Sequence, residues 1–266
     1  MANKRILVTG ASSGIGRAIC LRLAASGADI AACGSSHAGE LERLIEELRA
    51  LGVKAFPLLG NLSDPTVPAR LVNDAAAAMG GLDAVVSNAG ITRPASLTDL
   101  TPDDWDLVFS VNVRAPWLLA AAAHPWLKLE RGAFVAVASM SGMQPYSGMG
   151  AYSPSKSALI MLVRQLAQEW AANGIRVNSV SPGLVRTPLS QAVYDVPEAK
   201  SAREALIPLH RIAEADADMA GIVAFLLSRE AGYITGQNIL ADGGLLDSIQ
   251  THIVGRPRSG GGNRHD

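Results

Sequence analysis

Cysteine is scarce: two stand among 266 residues. Cys20 falls in a helical pattern and Cys33 at the end of a strand pattern. Both read as small buried hydrophobes rather than as a disulfide or redox pair. No excess of either charge exists, with 23 Lys and Arg against 24 Asp and Glu and a formal net charge of −1. That balance gives no electrostatic footprint for nucleic acid or an anionic membrane. Long hydrophobic runs are missing too. The longest, WLLAAAAHPWL, is too short to span a bilayer and is interrupted by His124 and Pro125. No second His or carboxylate stands at ligand spacing from His124, so no metal is expected, and His124, His210 and Asp216 read as structural or interface residues. The opening MANKRILVTG reaches a strand-like run by Ile6, which leaves no room for a signal peptide and makes the cytoplasm the expected location. What is present, 48% hydrophobic and 18% charged residues, is a soluble globular composition with material for a sizeable core.

Short β-branched runs alternate with long Ala/Leu-rich amphipathic stretches. Strands are expected at 5–9, 29–33, 54–59, 84–88, 133–138, 176–181 and 237–241, and helices at 14–26, 39–51, 65–79, 103–130, 150–173 and 214–228. Continuous apolar strands point to a sheet covered on both faces. Regular β–α alternation needs right-handed crossovers and a parallel, doubly wound sheet. No linker divides residues 1–246, which read as one domain, and 247–266 as an extension with a Gly/Arg-rich, mobile tail. The segment 185–211 holds three prolines and no clean period, as an irregular lid would.

In ILVTGASSGIGRAI a strand runs into Gly10, Gly14 and Gly16 and a helix follows. Glycines there permit positive φ and let backbone N–H groups approach a pyrophosphate at the helix N-terminus, so the stretch reads as a dinucleotide turn. Its spacing, Gly-x3-Gly-x-Gly, differs from G-x-G-x-x-G. An acid at the end of the second strand would hold a ribose 2′-OH and repel a 2′-phosphate. Here the chain runs CGSSHAG, with Gly34 where that acid would stand and Ser35, Ser36 and His37 as possible phosphate donors. The missing acid favours NADP(H). No Arg or Lys stands there, and an ordinary polar turn binding NAD(H) is the alternative.

The second half carries Ser139 at a strand end, Tyr152 thirteen residues on and Lys156 four further, in GAYSPSK. Residues i and i+4 share a helix face. Pro154 is harmless only where its missing N–H is one of the orphans of a first turn. If Tyr152 is to be helical and share a face with Lys156, the helix cap therefore lies near Gly150 or Ala151. A hydride transferred to a carbonyl leaves an alkoxide that needs a proton. A tyrosine beside an ammonium and an oxidised nicotinamide is expected to have its pKa lowered toward that task, and Ser139 is placed to hydrogen-bond the same oxygen.

In these motifs and their order the chain resembles the short-chain dehydrogenase/reductases. The matching stretches are TGASSGIG, NAG at 88–90, Asn112 in SVNV, Ser139, YSPSK, PG at 182–183, RTP at 186–188 and ADGG at 241–244. The resemblance implies a single-domain α/β fold, a Rossmann-type doubly wound parallel sheet of about seven strands with helices on both faces, and a homotetramer or homodimer. It implies Tyr152 as general acid/base, Ser139 as substrate-orienting, Lys156 on the nicotinamide ribose and lowering the tyrosine pKa, and Asn112 holding a relay water. Cofactor contacts implied are Gly10, Ser12, Ser13, Gly14, Ile15, Gly16, Ser35, Ser36, Asn61, Leu62, Asn88, Ala89, Gly90, Tyr152, Lys156, Pro182, Gly183, Val185 and Thr187. Substrate contacts are Ser139, Ser141, Tyr152, Gly183, Leu184, Leu189 and Tyr194, with 185–211 as the substrate loop. Departures stand at Asn61-Leu62, where members often have Asp-Val, and at Ser13 and Ser35, where many NADP-dependent members carry a basic residue.

The expected function is an NADP(H)-preferring oxidoreductase interconverting a small-molecule ketone and a secondary alcohol. A 3-oxoacyl thioester reductase or a sugar or polyol dehydrogenase is the alternative enzyme, and a non-catalytic dinucleotide sensor the alternative of another class. Leu184, Leu189, Val193, Tyr194 and Val196 suggest a partly apolar substrate pocket. Trp117, Trp126 and Met161 read as core or interface residues.

Overall fold

The computed structural model describes residues 3–35, 38–188 and 190–252. Ser36, His37, Leu189 and the Gly/Arg-rich tail lie outside the described residues. Strand β1 (Arg5–Thr9) leads into helix α1 (Gly14–Ala24), followed by β2 (Asp29–Gly34), α2 (Ala38–Ala50), β3 (Ala55–Leu59), α3 (Val67–Met79) and β4 (Ala84–Ser87). Then come α4 (Pro102–Phe109), α5 (Ala115–Glu130), β5 (Ala133–Val137), α6 (Tyr152–Trp170) and β6 (Arg176–Pro182). The segment expected as a lid follows as β7 (Val185–Arg186), α7 (Gln191–Tyr194) and α8 (Pro197–Leu206), and β8 (Ala213–Glu214), α9 (Gly221–Leu227) and β9 (Asn238–Ala241) close the fold.

Seven strands form one sheet in the order β3-β2-β1-β4-β5-β6-β9, and β7 and β8 pair in a ribbon of their own. Every pairing in the sheet is parallel. Strands β1, β2, β4 and β5 are apolar at most positions because both of their faces are buried. Ile6 and Val8 of β1 enter one cluster with Ile19, Leu44 and Leu226, whereas Leu7 between them enters the other with Leu71, Leu119 and Val163. Strand order reverses between β1 and β4, so the connections leaving their carboxyl ends run to opposite faces and leave a crevice there.

Asp83, at the entrance to β4, ties the sheet's amino end. Its carboxylate accepts from Lys4 Nζ at 2.8 Å, Arg5 Nε at 2.7 Å and the Arg5 backbone N–H at 3.0 Å. Burial pushes its pKa up, but the hydrogen bonds from Arg5 and Lys4 outweigh that and hold it below the usual carboxylate value. Cys20 and Cys33 are free and buried. Burial raises both thiols, Cys33 to about 12, so neither is poised for thiolate chemistry. His124 packs on Trp170 at 4.8 Å and meets Asn173 Nδ2 at 3.2 Å, a structural setting.

Three expectations need correction. The helix expected at 103–130 is broken by a π turn, Ser110–Arg114, in which Ala115 N–H bonds the Ser110 carbonyl. Pro116 has no N–H to offer the Asn112 carbonyl four residues earlier, so the α pattern cannot continue there. The helix expected at 214–228 likewise opens with a π turn, Ala215–Ala220, and α9 is short. The lid is not irregular: it holds α7 and α8. Its prolines punctuate helices rather than preclude them, with Pro197 opening α8 and Pro208 following its end.

Candidate active site

The glycine turn joins β1 to α1 at the crevice. Gly10 and Gly14 adopt φ of 63° and 53°, the left-handed region where a side chain is strained. Gly16 is required for a different reason: a Cβ there would run into the Gly10 carbonyl oxygen and Asn88 Nδ2. The turn is braced from β4. Asn88 Nδ2 donates to the carbonyls of Thr9 at 3.0 Å and Gly10 at 3.1 Å, while Thr9 Oγ1 accepts from the N–H groups of Asn88 and Ala89. Asn88 thus fixes the backbone on which a phosphate would rest.

Helix α6 starts at Tyr152 with Ala151 as N-cap, one of the two cap positions the proline allowed. Pro154 is the third helical residue, and the Ser155 N–H makes the first intrahelical bond, to the Ala151 carbonyl at 3.0 Å. Tyr152 and Lys156 therefore share a face, with Lys156 Nζ 5.8 Å from the Tyr152 ring centroid. Nζ is buried and donates to the Val137 carbonyl at 2.9 Å. Asn112 is fully buried behind it. Its Oδ1 accepts from Ile91 N–H at 2.9 Å, and its Nδ2 donates to the Ile91 carbonyl and to Ser155 Oγ, each at 3.0 Å. Gly90 keeps this corner open, since a Cβ there would stand 3.2 Å from Lys156 Nζ and 3.3 Å from Asn112 Oδ1. Ser139 caps the short 3₁₀ turn after β5, its Oγ accepting from the Ser141 N–H at 3.1 Å.

Electrostatics here run against one expectation. Burial raises the Tyr152 pKa above its ordinary value, and a hydrogen bond with Ser139 only partly opposes this. Lys156 is not the group that lowers it in the protein alone. Burial instead pushes Lys156 down to about 8. Desolvation wins because both groups lie in a low-dielectric corner. The phenol is accordingly protonated at neutral pH.

One cavity of about 530 Å³ joins these parts, a size suited to a small-molecule site. Gly10, Ser12, Ser13, Gly14 and Ile15 of the first turn line it, with Ser35 at the end of β2 and Asn61 and Leu62 after β3. So do Asn88, Ala89 and Gly90 after β4, Ser139 and Ser141 after β5, Tyr152 and Lys156 on α6, Pro182, Gly183 and Leu184 at and after the end of β6, and Val185, Thr187 and Tyr194 of the lid. Gly16 and Asn112 do not line it: one packs against the turn, the other holds Ile91 and Ser155 in place. Ser36 and Leu189 lie outside the described residues. Asn61 Oδ1 is engaged by the N–H of Ser63 at 3.1 Å and its hydroxyl at 2.9 Å. Tyr146, Met149 and Arg203 also line the cavity. Sequence reading missed them because they lie in connecting or lid segments with no motif of their own. The glycine cradle, the braced turn and the run of small residues across the crevice fit a bound dinucleotide. Among the described residues, no group of three or more His, Cys, Asp or Glu is placed to hold a metal ion.

A parallel sheet with its site at the strand-order reversal defines a Rossmann-like α/β protein. A family model described as enoyl-(acyl carrier protein) reductase matches residues 10–246. The chain is 36% identical over 243 residues to the 3-oxoacyl-(acyl-carrier-protein) reductase FabG of Staphylococcus aureus, covering 91% of this chain and 98% of the relative. It is 38% identical over 248 residues to dehydrogenase/reductase SDR family member 4 of Oryctolagus cuniculus, covering 92% and 94%. The crystal structure of a short-chain dehydrogenase from Burkholderia cenocepacia in complex with NADP superimposes with a TM-score of 0.86 at 38% identity, covering 92% of this chain and 98% of that one. The chain belongs to the short-chain dehydrogenase/reductase family, and it is an oxidoreductase acting on carbonyl and alcohol groups.

Proposed function

We propose that this protein interconverts a small-molecule ketone and a secondary alcohol with NADP(H), Tyr152 serving as general acid/base. One observation carries the reading: Ser139, Tyr152 and Lys156 meet in the cavity that begins at the glycine turn. When bound, a nicotinamide dinucleotide supplies or accepts the hydride. Tyr152 gives its phenolic proton to the substrate oxygen, and Ser139 holds that oxygen in line. Lys156, 5.8 Å from the Tyr152 ring centroid, would hold the nicotinamide ribose. Asn112, whose carbonyl Pro116 cannot engage, is the proposed anchor for a relay water behind Lys156. A Tyr152 pKa above its ordinary value suits proton donation. Carbonyl reduction is therefore expected to stay flat through neutral pH, while alcohol oxidation accelerates as pH rises and the phenol ionises.

NADP(H) preference is supported by the absence of an acid at Gly34, by Ser12, Ser13 and Ser35 around that end of β2, and by the NADP complex of the Burkholderia relative. Exposed Trp117 and Met161, on α5 and α6, support a homotetramer or homodimer. Two free buried thiols fit a reducing compartment such as the cytoplasm. The second reading, reduction of a 3-oxoacyl thioester, is favoured by the 36% identity to the staphylococcal reductase. The test is a panel of ketones, alcohols and 3-oxoacyl thioesters run with NADPH and NADH. Tyr152→Phe is expected to abolish turnover while NADPH still binds. A phenylalanine variant that kept most of the wild-type kcat would remove Tyr152 from the proton transfer.

A further inference from the structure

The lid sets a cation at the cavity that no step above uses. Arg203, on α8, lines the cavity, and its guanidinium carbon lies 5.6 Å from the ring centroid of Tyr194. Tyr194 is buried, packed with Ile207 and Ile212, so it is a fixed platform. A guanidinium stacked on an aromatic face keeps its N–H edge directed sideways, free for a planar anion. Its own helix offers that edge no partner. Positions three and four residues away hold Lys200, Ala199, Leu206 and Ile207. Glu204 is engaged with Lys200 at 3.5 Å and Asp195 with Gln191. Among the described residues the cavity lining contains two cations, Lys156 and Arg203, and no carboxylate. Lys156 already has a part in the reading above, beside the phenol and toward the cofactor ribose, which leaves Arg203 as the cation of this lining with no assigned role.

We propose that Arg203, stacked on Tyr194, binds a carboxylate carried by the carbonyl substrate, so that the preferred substrates are oxo acids and their hydroxy acids. The inference rests on the ketone-reductase reading of the same cavity. It narrows the partly apolar pocket expected from sequence: Leu184 and Tyr194 cover the carbon chain, and Arg203 fixes its far end and thereby places the ketone under Tyr152. Bidentate pairing of guanidinium with carboxylate supplies both strength and orientation.

The experiment compares wild type, Arg203→Leu and Arg203→Lys with NADPH. Substrates are straight-chain oxo acids, with the ketone moved stepwise from the carboxylate, and their methyl esters. Wild type is expected to favour at least one acid over its ester by about tenfold or more in kcat/KM. Arg203→Leu should erase that preference through the acid's value alone, and Arg203→Lys should keep part of it. NADPH affinity should be unchanged in both. An unchanged acid-to-ester ratio in the leucine variant overturns the proposal, and so does a loss of NADPH affinity, which would assign Arg203 to the cofactor. A loss confined to coenzyme A thioesters, with none on the matching N-acetylcysteamine thioesters, overturns the carboxylate in favour of a thioester's phosphate. Calorimetry with hexanoate and hexanamide, on the protein saturated with NADP+, separates the two readings. If no ketone in the panel turns over, the reductase reading fails, and preferential binding of hexanoate, lost in Arg203→Leu, still decides the role of Arg203.

Discussion

Replacing Lys156 with methionine should abolish turnover and make the cofactor-free protein more stable. The side chain is 3% exposed, and burial lowers its pKa from 10.5 to about 8. A base whose folded pKa is depressed opposes folding while both states are charged. The opposition fades as pH rises from the folded toward the unfolded value, because the unfolded chain then holds the extra proton. At about 1.4 kcal/mol per pH unit, the cost near pH 7 is about 3 kcal/mol, and near pH 9.5 it has fallen to roughly 1 kcal/mol. Methionine has a similar length and no charge, but it forfeits the bond to the Val137 carbonyl, worth about 1 kcal/mol. Lys156→Met should therefore exceed wild type by about 2 kcal/mol near pH 7 and by close to nothing near pH 9.5. Urea unfolding of both proteins at the two pH values, without cofactor, measures this difference, and the other titrating groups cancel in it. A methionine variant less stable than wild type near pH 7, or a difference that ignores pH, would refute the claim that the lysine is held in place against its desolvation cost. Such a cost, kept in the fold, is expected where a group serves chemistry rather than stability.

Other consequences are open to measurement. Gly34→Asp should lower kcat/KM with NADPH by about a hundredfold while sparing NADH, because the new carboxylate would meet the 2′-phosphate. A Cβ at Gly34 makes only ordinary contacts, 3.5 Å from Leu41, so the fold should tolerate it, and unchanged NADPH kinetics would remove Gly34 from cofactor choice. Gly16→Ala should cost about 3 kcal/mol and weaken dinucleotide binding, since its Cβ meets the backbone of Gly10; a melting temperature like that of wild type would contradict this. Asp83→Asn should destabilise the protein by about 2 kcal/mol at neutral pH by removing the charge facing Lys4 and Arg5. The Asp83 pKa is depressed in the fold, so its contribution is present above 3.8 and lost as pH falls through the folded value. The two proteins should converge in acid, and a gap that persists there would show a purely packing effect.

The sequence by itself determined the sheet, the glycine turn and the Tyr152–Lys156 face. Each is encoded within a few neighbouring residues: continuous apolar strands, glycines spaced around a turn, and a proline that confines the helix cap to one of two neighbouring positions. Ser139 was legible because it ends a strand at a fixed distance from that helix. Tertiary structure alone decided the rest, because those properties arise between segments far apart in the chain. Burial by several elements together, not proximity in sequence, raises Tyr152 and lowers Lys156. Asn112 was recognised, but that its amide secures Ile91 and Ser155, inside a π turn set by Pro116, depends on packing between α6 and the strand ends. Arg203 carried no signal at all. In the chain it is one charge on an amphipathic stretch, and only the folding of the lid turns it, without a carboxylate partner, onto Tyr194 and the cavity.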